Sequence, residues 1–118
     1  MARLIVDGAD LVVGLSWLEK LGAVHKNVRV PLRAVRSAVA EPDPWPAVRG
    51  AKLAGTGIPG VAVLGTRYFD GGRDFVAIRN GRPAVRVELG EGSPYAQLLV
   101  SVSDAESTLA VIRGATGV

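Results

Sequence analysis

The last third of the chain, residues 74–113, carries the pattern that most constrains the fold. Residues 74–78 are a short β-branched and aromatic run, and Ala84–Leu89 alternates apolar and charged side chains with the period of a half-buried antiparallel strand. Asn80-Gly81 stands between these runs and favours a type I′ turn, because both residues accept positive φ angles. The pattern predicts a hairpin, followed by a third strand at residues 95–103.

The chain is then predicted to form one helix. Ser103 stands three residues before Glu106, which is the spacing of a capping box. Arg113 followed by Gly114 fits a helix C-terminus. A helix of about ten residues is too short to be stable alone in water, so we expect it to pack on the sheet.

The residues upstream predict more strand and one long loop. The predicted strands are residues 3–6, 9–13, 28–32, 34–40 and 58–66, with a possible hairpin turn at Asp7-Gly8. Residues 15–22 fit either a short helical turn, which we favour, or a strand that runs into a loop. Residues 41–60 are rich in proline and glycine and predict a long irregular loop, a kind of segment that is often functional.

Composition predicts a single domain over residues 1–118, with its core at residues 3–113. The 118 residues are 48% apolar, and the 15 glycines and 7 prolines predict many turns, as in a β-rich fold. The absence of cysteine excludes disulfides and cysteine-ligated metals. We find no signal peptide and no apolar run near the ~20 residues of a membrane helix, so we expect a cytoplasmic protein that is not transmembrane.

Two stretches resemble the bacterial pleckstrin-homology-like domains. Residues 28–37, VRVPLRAVRS, are similar to that family's strand, proline-containing turn and next strand. Residues 98–106, LLVSVSDAE, look like its last strand running into a helix. The resemblance implies a mainly β fold with one C-terminal α-helix, in which a strongly bent antiparallel sheet or partial barrel is capped by the helix. Because this fold hosts unrelated functions, it implies no particular activity.

No catalytic residue, metal site or cofactor is predicted. His25 is the only histidine and has no flanking nucleophile motif. Asp70 and Asp74 do not have the spacing of a calcium loop, and residues 55–60 lack the Lys-Ser/Thr of a phosphate loop. We therefore expect a protein that is not an enzyme, although an unrecognised enzyme or a small-ligand barrel, either of which predicts a deep apolar pocket with convergent polar groups, stays open as an alternative.

The candidate site is the long loop and the basic residues near it. Its predicted members are one aromatic residue, one loop glycine and four cations: Trp45, Arg49, Lys52, Gly57, Arg67 and Arg73. The leading hypothesis is a binding module for a protein or peptide, including self-association, that uses this loop and an exposed sheet edge. The alternative is binding of an anionic lipid or phosphate ligand by the basic loops. Nucleic acid is not expected as a partner, because only 5% of the residues are aromatic.

Overall fold

The protein is mainly β, as the sequence predicts. The computed structural model describes residues 2–15, 28–58, 61–69 and 71–118, and in these it has two sheets and one C-terminal helix. Nine strands, β1 to β9, follow one another in chain order: Arg3–Asp7, Asp10–Gly14, Val28–Pro31, Val35–Glu41, Ala51–Ile58, Ala62–Phe69, Gly72–Arg79, Ala84–Leu89 and Gln97–Ser101. The first sheet has the order β1-β2-β3, and the second has the order β4-β8-β9-β7-β6-β5.

The hairpin predicted at Asp7-Gly8 is confirmed. β1 and β2 pair antiparallel from Arg3 opposite Gly14 to Asp7 opposite Asp10. The two-residue turn between them begins with Gly8, whose φ angle is 61°. Glycine adopts this left-handed conformation without the steric cost that a side chain adds, so the turn joins the strands with no further loop.

The hairpin predicted at Asn80-Gly81 is wrong, although the chain does turn there. β7 and β8 do not pair, because β9 lies between them, parallel to β7 and antiparallel to β8. All five residues of β9, Gln97–Ser101, are buried. A strand covered on both faces belongs inside a sheet, and this burial outweighs the local preference of the dipeptide for a hairpin.

The long irregular loop predicted at residues 41–60 is also wrong in its extent. β4 runs to Glu41, and β5 occupies Ala51–Ile58, so of the described residues in this stretch only 42–50 lie outside a strand, with one turn of 3-10 helix at Trp45–Ala47. The single strand predicted at residues 58–66 is replaced by the end of β5 and the start of β6 at Ala62. Glycine-rich β5 forms an edge strand because a ladder is made by backbone groups, which glycine also has.

The helix, α1, spans Ala105–Thr116, and its N-cap differs from the prediction. Asp104 is the N-cap residue, and its carboxylate accepts hydrogen bonds from the Ser107 backbone N–H at 3.1 Å and the Ser107 hydroxyl at 2.9 Å. The predicted Ser103–Glu106 capping box is therefore one residue out of place. Ser103 and Asp104 are both good N-cap residues, and the strand that precedes the helix decides which of them occupies the N-cap position.

The end of α1 also lies beyond the predicted Arg113-Gly114. The helix passes through Gly114 and ends at Gly117, whose φ angle is 75° and whose N–H donates to the Arg113 carbonyl at 2.8 Å. A C-cap glycine of this kind satisfies an otherwise unpaired carbonyl in the last turn. The C-cap glycine is therefore Gly117, three residues beyond the predicted Gly114.

The main core lies between the two sheets and α1. Its fully buried members come from both sheets and from the helix, and they include Leu11, Val30, Phe75, Leu98 and Ile112. The expectation that the short helix packs on the sheet is therefore confirmed.

A second, smaller cluster lies on the other face of the large sheet. Its buried members are Val63, Val76, Ile78, Ala84 and Leu99, and the segment after β4 covers them. The middle of the large sheet is therefore covered on both faces.

The sheets are bent and do not close, which is consistent with a partial barrel capped by a helix. The pleckstrin-homology-like identity itself stays a prediction, and the parallel β7–β9 pair is an exception to the antiparallel pairing that the resemblance implies. No helix in the described segments has the length and apolar character to cross a membrane. The helical turn predicted near residues 15–22 and the lone His25 lie outside the described residues, except for Leu15.

Candidate functional site

Trp45 belongs to a short segment that covers one face of the large sheet. We call residues 44–50 the strap. Trp45, Ala47 and Val48 are partly buried and pack against the second cluster. Trp45 therefore contributes to the packing of the protein, which the sequence prediction of a partner-binding loop did not include.

The strap is held by a buried ion pair. The Arg49 guanidinium donates to the Asp74 carboxylate in two places, with Nε 2.6 Å from Oδ2 and Nη2 3.1 Å from Oδ1. The Asp74 side chain has no exposed surface. Gln97 lies beside it, with its amide nitrogen 3.2 Å from the Ala47 carbonyl and 3.4 Å from Asp74 Oδ2. The pair joins the strap to β7, with Gln97 of β9 as a second link.

The electrostatics of this pair follow from its burial. Burial raises the pKa of Asp74, and the hydrogen bonds and charge of Arg49 oppose that rise. The hydrogen bonds to Asp74 raise the pKa of Arg49, so the guanidinium stays charged. A carboxylate buried this way is stable in the charged form only while its cation is in place.

Arg67 also binds the strap, through backbone carbonyls. Its Nε lies 3.2 Å from the Arg49 carbonyl oxygen, and its Nη2 lies 2.7 Å from that of Gly50. The Arg49 guanidinium in turn lies 4.2 Å from the centre of the Phe69 ring, within cation–π range. Two of the predicted basic residues are therefore brought together, but several of their donors are used inside the protein.

The remaining predicted residues are spread out. Arg73 lies near the Tyr95 ring, 5.9 Å from its centre. Lys52 is opposite Arg67 in the β5–β6 ladder, and its side chain is outside the described part of the structure. Gly57 is exposed near the far end of β5, five positions and thus ~17 Å from Lys52 along the strand. The six predicted residues do not form one surface.

A shallow cleft beside the strap is balanced in charge. It has a volume of about 360 Å³, and its lining includes the side chains of Arg49, Arg86 and Glu41. Arg86 donates to Glu41 at 2.8 Å and to Glu88 at 2.7 Å. Because each arginine here already has a carboxylate partner, the cleft offers an anion little unpaired positive charge. Binding of anionic lipid or phosphate stays a prediction without support from this cleft.

A second groove, which the sequence did not indicate, runs along the free edge of β1. Its volume is about 410 Å³. One wall is the N-terminal strand, with residues 2–6. The other wall is the segment after β9 together with the first turns of α1, with residues 102–104, 107, 108 and 111. Every residue from Ala2 to Val6 lines the groove, so it follows the strand for most of its length.

The edge of β1 presents unpaired backbone groups to this groove. In a hairpin with a two-residue turn the pair next to the turn is hydrogen-bonded, and the pairs alternate from there. Asp7, Ile5 and Arg3 therefore bond to β2, while the N–H and C=O of Leu4 and Val6 point to the free edge. Within the described segments no hydrogen bond to the backbone of Leu4 or Val6 crosses that edge.

Two exposed aliphatic side chains stand at the rim of the groove, among polar ones. Ile5 is 37% exposed on β1, and Val111 is 53% exposed on α1. Arg3 stands at one end and makes no ion pair with any described residue. The sequence predicted a short strand at residues 3–6, but it did not indicate that this strand lies at the edge of a sheet beside the helix.

No group of three or more acidic or histidine side chains that could hold a metal occurs among the residues that the structure describes. Comparisons of the chain with protein-family models, curated proteins and solved structures gave no match.

Proposed function

We propose that the protein is a binding module that accepts an extended segment of a protein partner along the free edge of β1. The observation that carries this proposal is the groove between β1 and α1, because it combines an unpaired strand edge with two exposed aliphatic side chains, Ile5 and Val111. Strand addition is a common mode of peptide recognition, in which backbone hydrogen bonds give affinity and alternate side chains give specificity.

The backbone contribution comes from two residues. Leu4 and Val6 each offer one N–H and one C=O, so a segment in register makes up to four hydrogen bonds. Each such bond contributes about 1 kcal/mol net, which is enough to position a segment but not to bind it tightly. The five residues of β1 span ~17 Å, which suits a partner segment of similar length.

The side-chain contribution comes from Ile5 and Val111. Burying these two exposed aliphatic groups against apolar side chains of a partner adds affinity in proportion to the area removed from water. A segment with alternating apolar residues therefore fits the groove best. The helix wall adds polar groups, because Ser107 and Thr108 also line it.

A matched pair of surface variants tests the proposal. Heptapeptides selected from a random phage library against the purified protein are labelled, and their affinity is measured by fluorescence anisotropy. Val111→Lys places a charge in the groove, whereas Val61→Lys changes a residue of nearly equal exposure, 53% against 55%, that does not line it. We expect Val111→Lys to weaken binding at least about tenfold, or 1.4 kcal/mol, and Val61→Lys to leave it unchanged.

Amide NMR locates the bound peptide on the backbone. The amide signals of Leu4 and Val6 are expected to shift and to exchange more slowly with solvent when a selected peptide binds, because their N–H groups gain acceptors. The proposal is wrong if no peptide binds, if the selected peptides leave both amides unperturbed, or if Val111→Lys and Val61→Lys change the affinity equally.

A further inference from the structure

We infer that the segment that best fits the β1 edge is β1 of a second copy of the same chain, in an antiparallel pair whose two-fold axis passes through Ile5. This inference rests on the proposed function, because it uses the same free edge. It goes further by naming the partner. The result would be a symmetric dimer with one continuous sheet in the order β3-β2-β1-β1-β2-β3.

The first support is the charge pattern of β1. Arg3, Ile5 and Asp7 are all exposed, and they share one face of the strand because side chains alternate. Turning the strand around Ile5 places Arg3 opposite Asp7 of the second copy, and the symmetry makes this contact twice. Opposite charges directly across an antiparallel pair are favourable.

Other registers lose this match. Moving the axis to Leu4 places Arg3 opposite Ile5 of the second copy, and moving it to Val6 places Asp7 opposite Ile5. In both cases one charged side chain faces an aliphatic one. Because register in an exposed strand pair is set by such side-chain matches, the Ile5-centred register is the preferred one.

The second support is the direction of the backbone groups. Leu4 and Val6 point their N–H and C=O to the free edge, so an Ile5-centred pair bonds Leu4 to Val6 of the second copy, and the reverse. Ile5 then faces its own copy as a non-hydrogen-bonded pair, in which side chains come closest, with Cα atoms ~4.5 Å apart. The two exposed isoleucines therefore cover one another.

The third support is the state of the charged groups in the single chain. Arg3 makes no ion pair with a described residue, so its charge is available. Asp7 pairs with Arg29, yet both side chains are more than half exposed, and a carboxylate has acceptor sites for a further donor. Pairing two copies also covers the free edge of β1. Because both copies use the same edge in an isologous contact, neither β1 edge stays exposed.

Charge reversal with complementation tests this inference. In Arg3→Asp, the introduced carboxylate faces Asp7 of the second copy at both contacts, and in Asp7→Arg the introduced guanidinium faces Arg3. Each variant alone is expected to dimerise at least about tenfold more weakly than the wild-type chain. An equimolar mixture of the two restores both opposite-charge pairs in a heterodimer, and the double variant Arg3→Asp/Asp7→Arg restores them in a homodimer.

The measurement is analytical ultracentrifugation over a range of protein concentrations at low ionic strength, because exposed ion pairs are screened by salt. Thermal unfolding of each variant checks the fold. Arg3→Asp removes no observed ion pair, and after Asp7→Arg the Arg29 side chain still has Asp10, 2.9 Å from its guanidinium. Mixed samples use one tagged variant, so that the heterodimer is identified by its mass.

The outcomes separate this inference from the proposed function. A wild-type dimer that each charge variant weakens and that mixing restores supports both. The inference is overturned if the wild-type chain stays monomeric at every concentration, if its dimer is insensitive to both single variants, or if mixing restores nothing. In each of these cases the proposed function still stands when selected peptides perturb Leu4 and Val6, and it falls when they do not.

Discussion

Removal of Arg49 is expected to destabilise the protein strongly and in a pH-dependent way. Arg49→Ala deletes both hydrogen bonds to Asp74 and leaves a carboxylate with no exposed surface beside Gln97 alone. Breaking one side of a buried ion pair typically costs 3–5 kcal/mol. The Arg49 side chain is 45% exposed, so water reaches the site when it is truncated, and we expect about 3 kcal/mol at neutral pH.

Substitution of the acidic partner, Asp74, is expected to lower the free energy of unfolding by less. Asp74→Asn removes the buried charge and keeps an oxygen that can accept from Arg49, whose guanidinium can turn towards water. We expect a loss of about 1 kcal/mol in the free energy of unfolding. The double variant Arg49→Ala/Asp74→Asn should be more stable than Arg49→Ala alone, because it has no unpaired buried carboxylate.

The direction in which the cost of Arg49→Ala changes with pH follows from the pKa of Asp74. Burial raises the pKa of Asp74, and removal of Arg49 raises it further, because the hydrogen bonds that lower it are gone. A carboxyl whose folded pKa is raised favours the folded state below its unfolded pKa, and this contribution is lost as pH rises through the folded pKa. The stability gap between the wild-type chain and Arg49→Ala should therefore narrow as pH falls from neutral.

Urea unfolding followed by circular dichroism measures all three variants across that pH range. Asp74→Asn is the control, since it has no carboxyl to protonate at position 74. The difference in free energy of unfolding between Asp74→Asn and Arg49→Ala should therefore also narrow as pH falls. The reasoning would be refuted if Arg49→Ala cost no more than Asp74→Asn at neutral pH, or if the cost did not depend on pH.

Two further predictions concern the helix cap and the turn glycines. Asp104→Ala is expected to lower the urea midpoint and Ser103→Ala to leave it unchanged, because only Asp104 caps α1. Hydrogen bonds from the helix N-terminus lower the pKa of Asp104. Its contribution to the free energy of unfolding is therefore present above the pKa of the unfolded state and is lost as pH falls through the pKa of the folded state. Urea curves at neutral and acid pH check this. In thermal unfolding, Gly81→Ala should cost about 1 kcal/mol for its φ of 75° alone. Gly50→Ala should cost more, because a Cβ there would lie 2.3 Å from the Tyr68 carbonyl oxygen, and equal losses would contradict this account.

Local patterns predicted the elements whose cause is local. The turn after Asp7 needs only a glycine that accepts a positive φ between two short apolar runs, and the structure has that hairpin. The C-terminal helix needs a cap and an apolar stripe, and residues 103–117 contain both. The cap was misplaced by one residue because Ser103 and Asp104 are equally good N-cap residues.

The candidate site was predicted less well, because partners distant in sequence decide it. Arg49 and Asp74 are 25 positions apart, and nothing in either stretch indicates that they form a buried pair. The basic residues looked available for an anion, but Arg67 donates to strap carbonyls. The groove beside β1 depends on where the first turns of α1 lie relative to that strand, which no short window of sequence contains.

The sequence by itself determined that this chain forms strands and one short helix, because periodicity, turn residues and caps act over a few residues. Only the tertiary structure decided the order of those strands. β9 lies between β7 and β8 because five consecutive buried residues need cover on both sides, and β1 is at an edge because no other strand in the described part of the chain pairs with its second side. The edge that we propose as the binding site is therefore a product of topology, although the opposite charges of Arg3 and Asp7 at the two ends of β1 are present in the sequence.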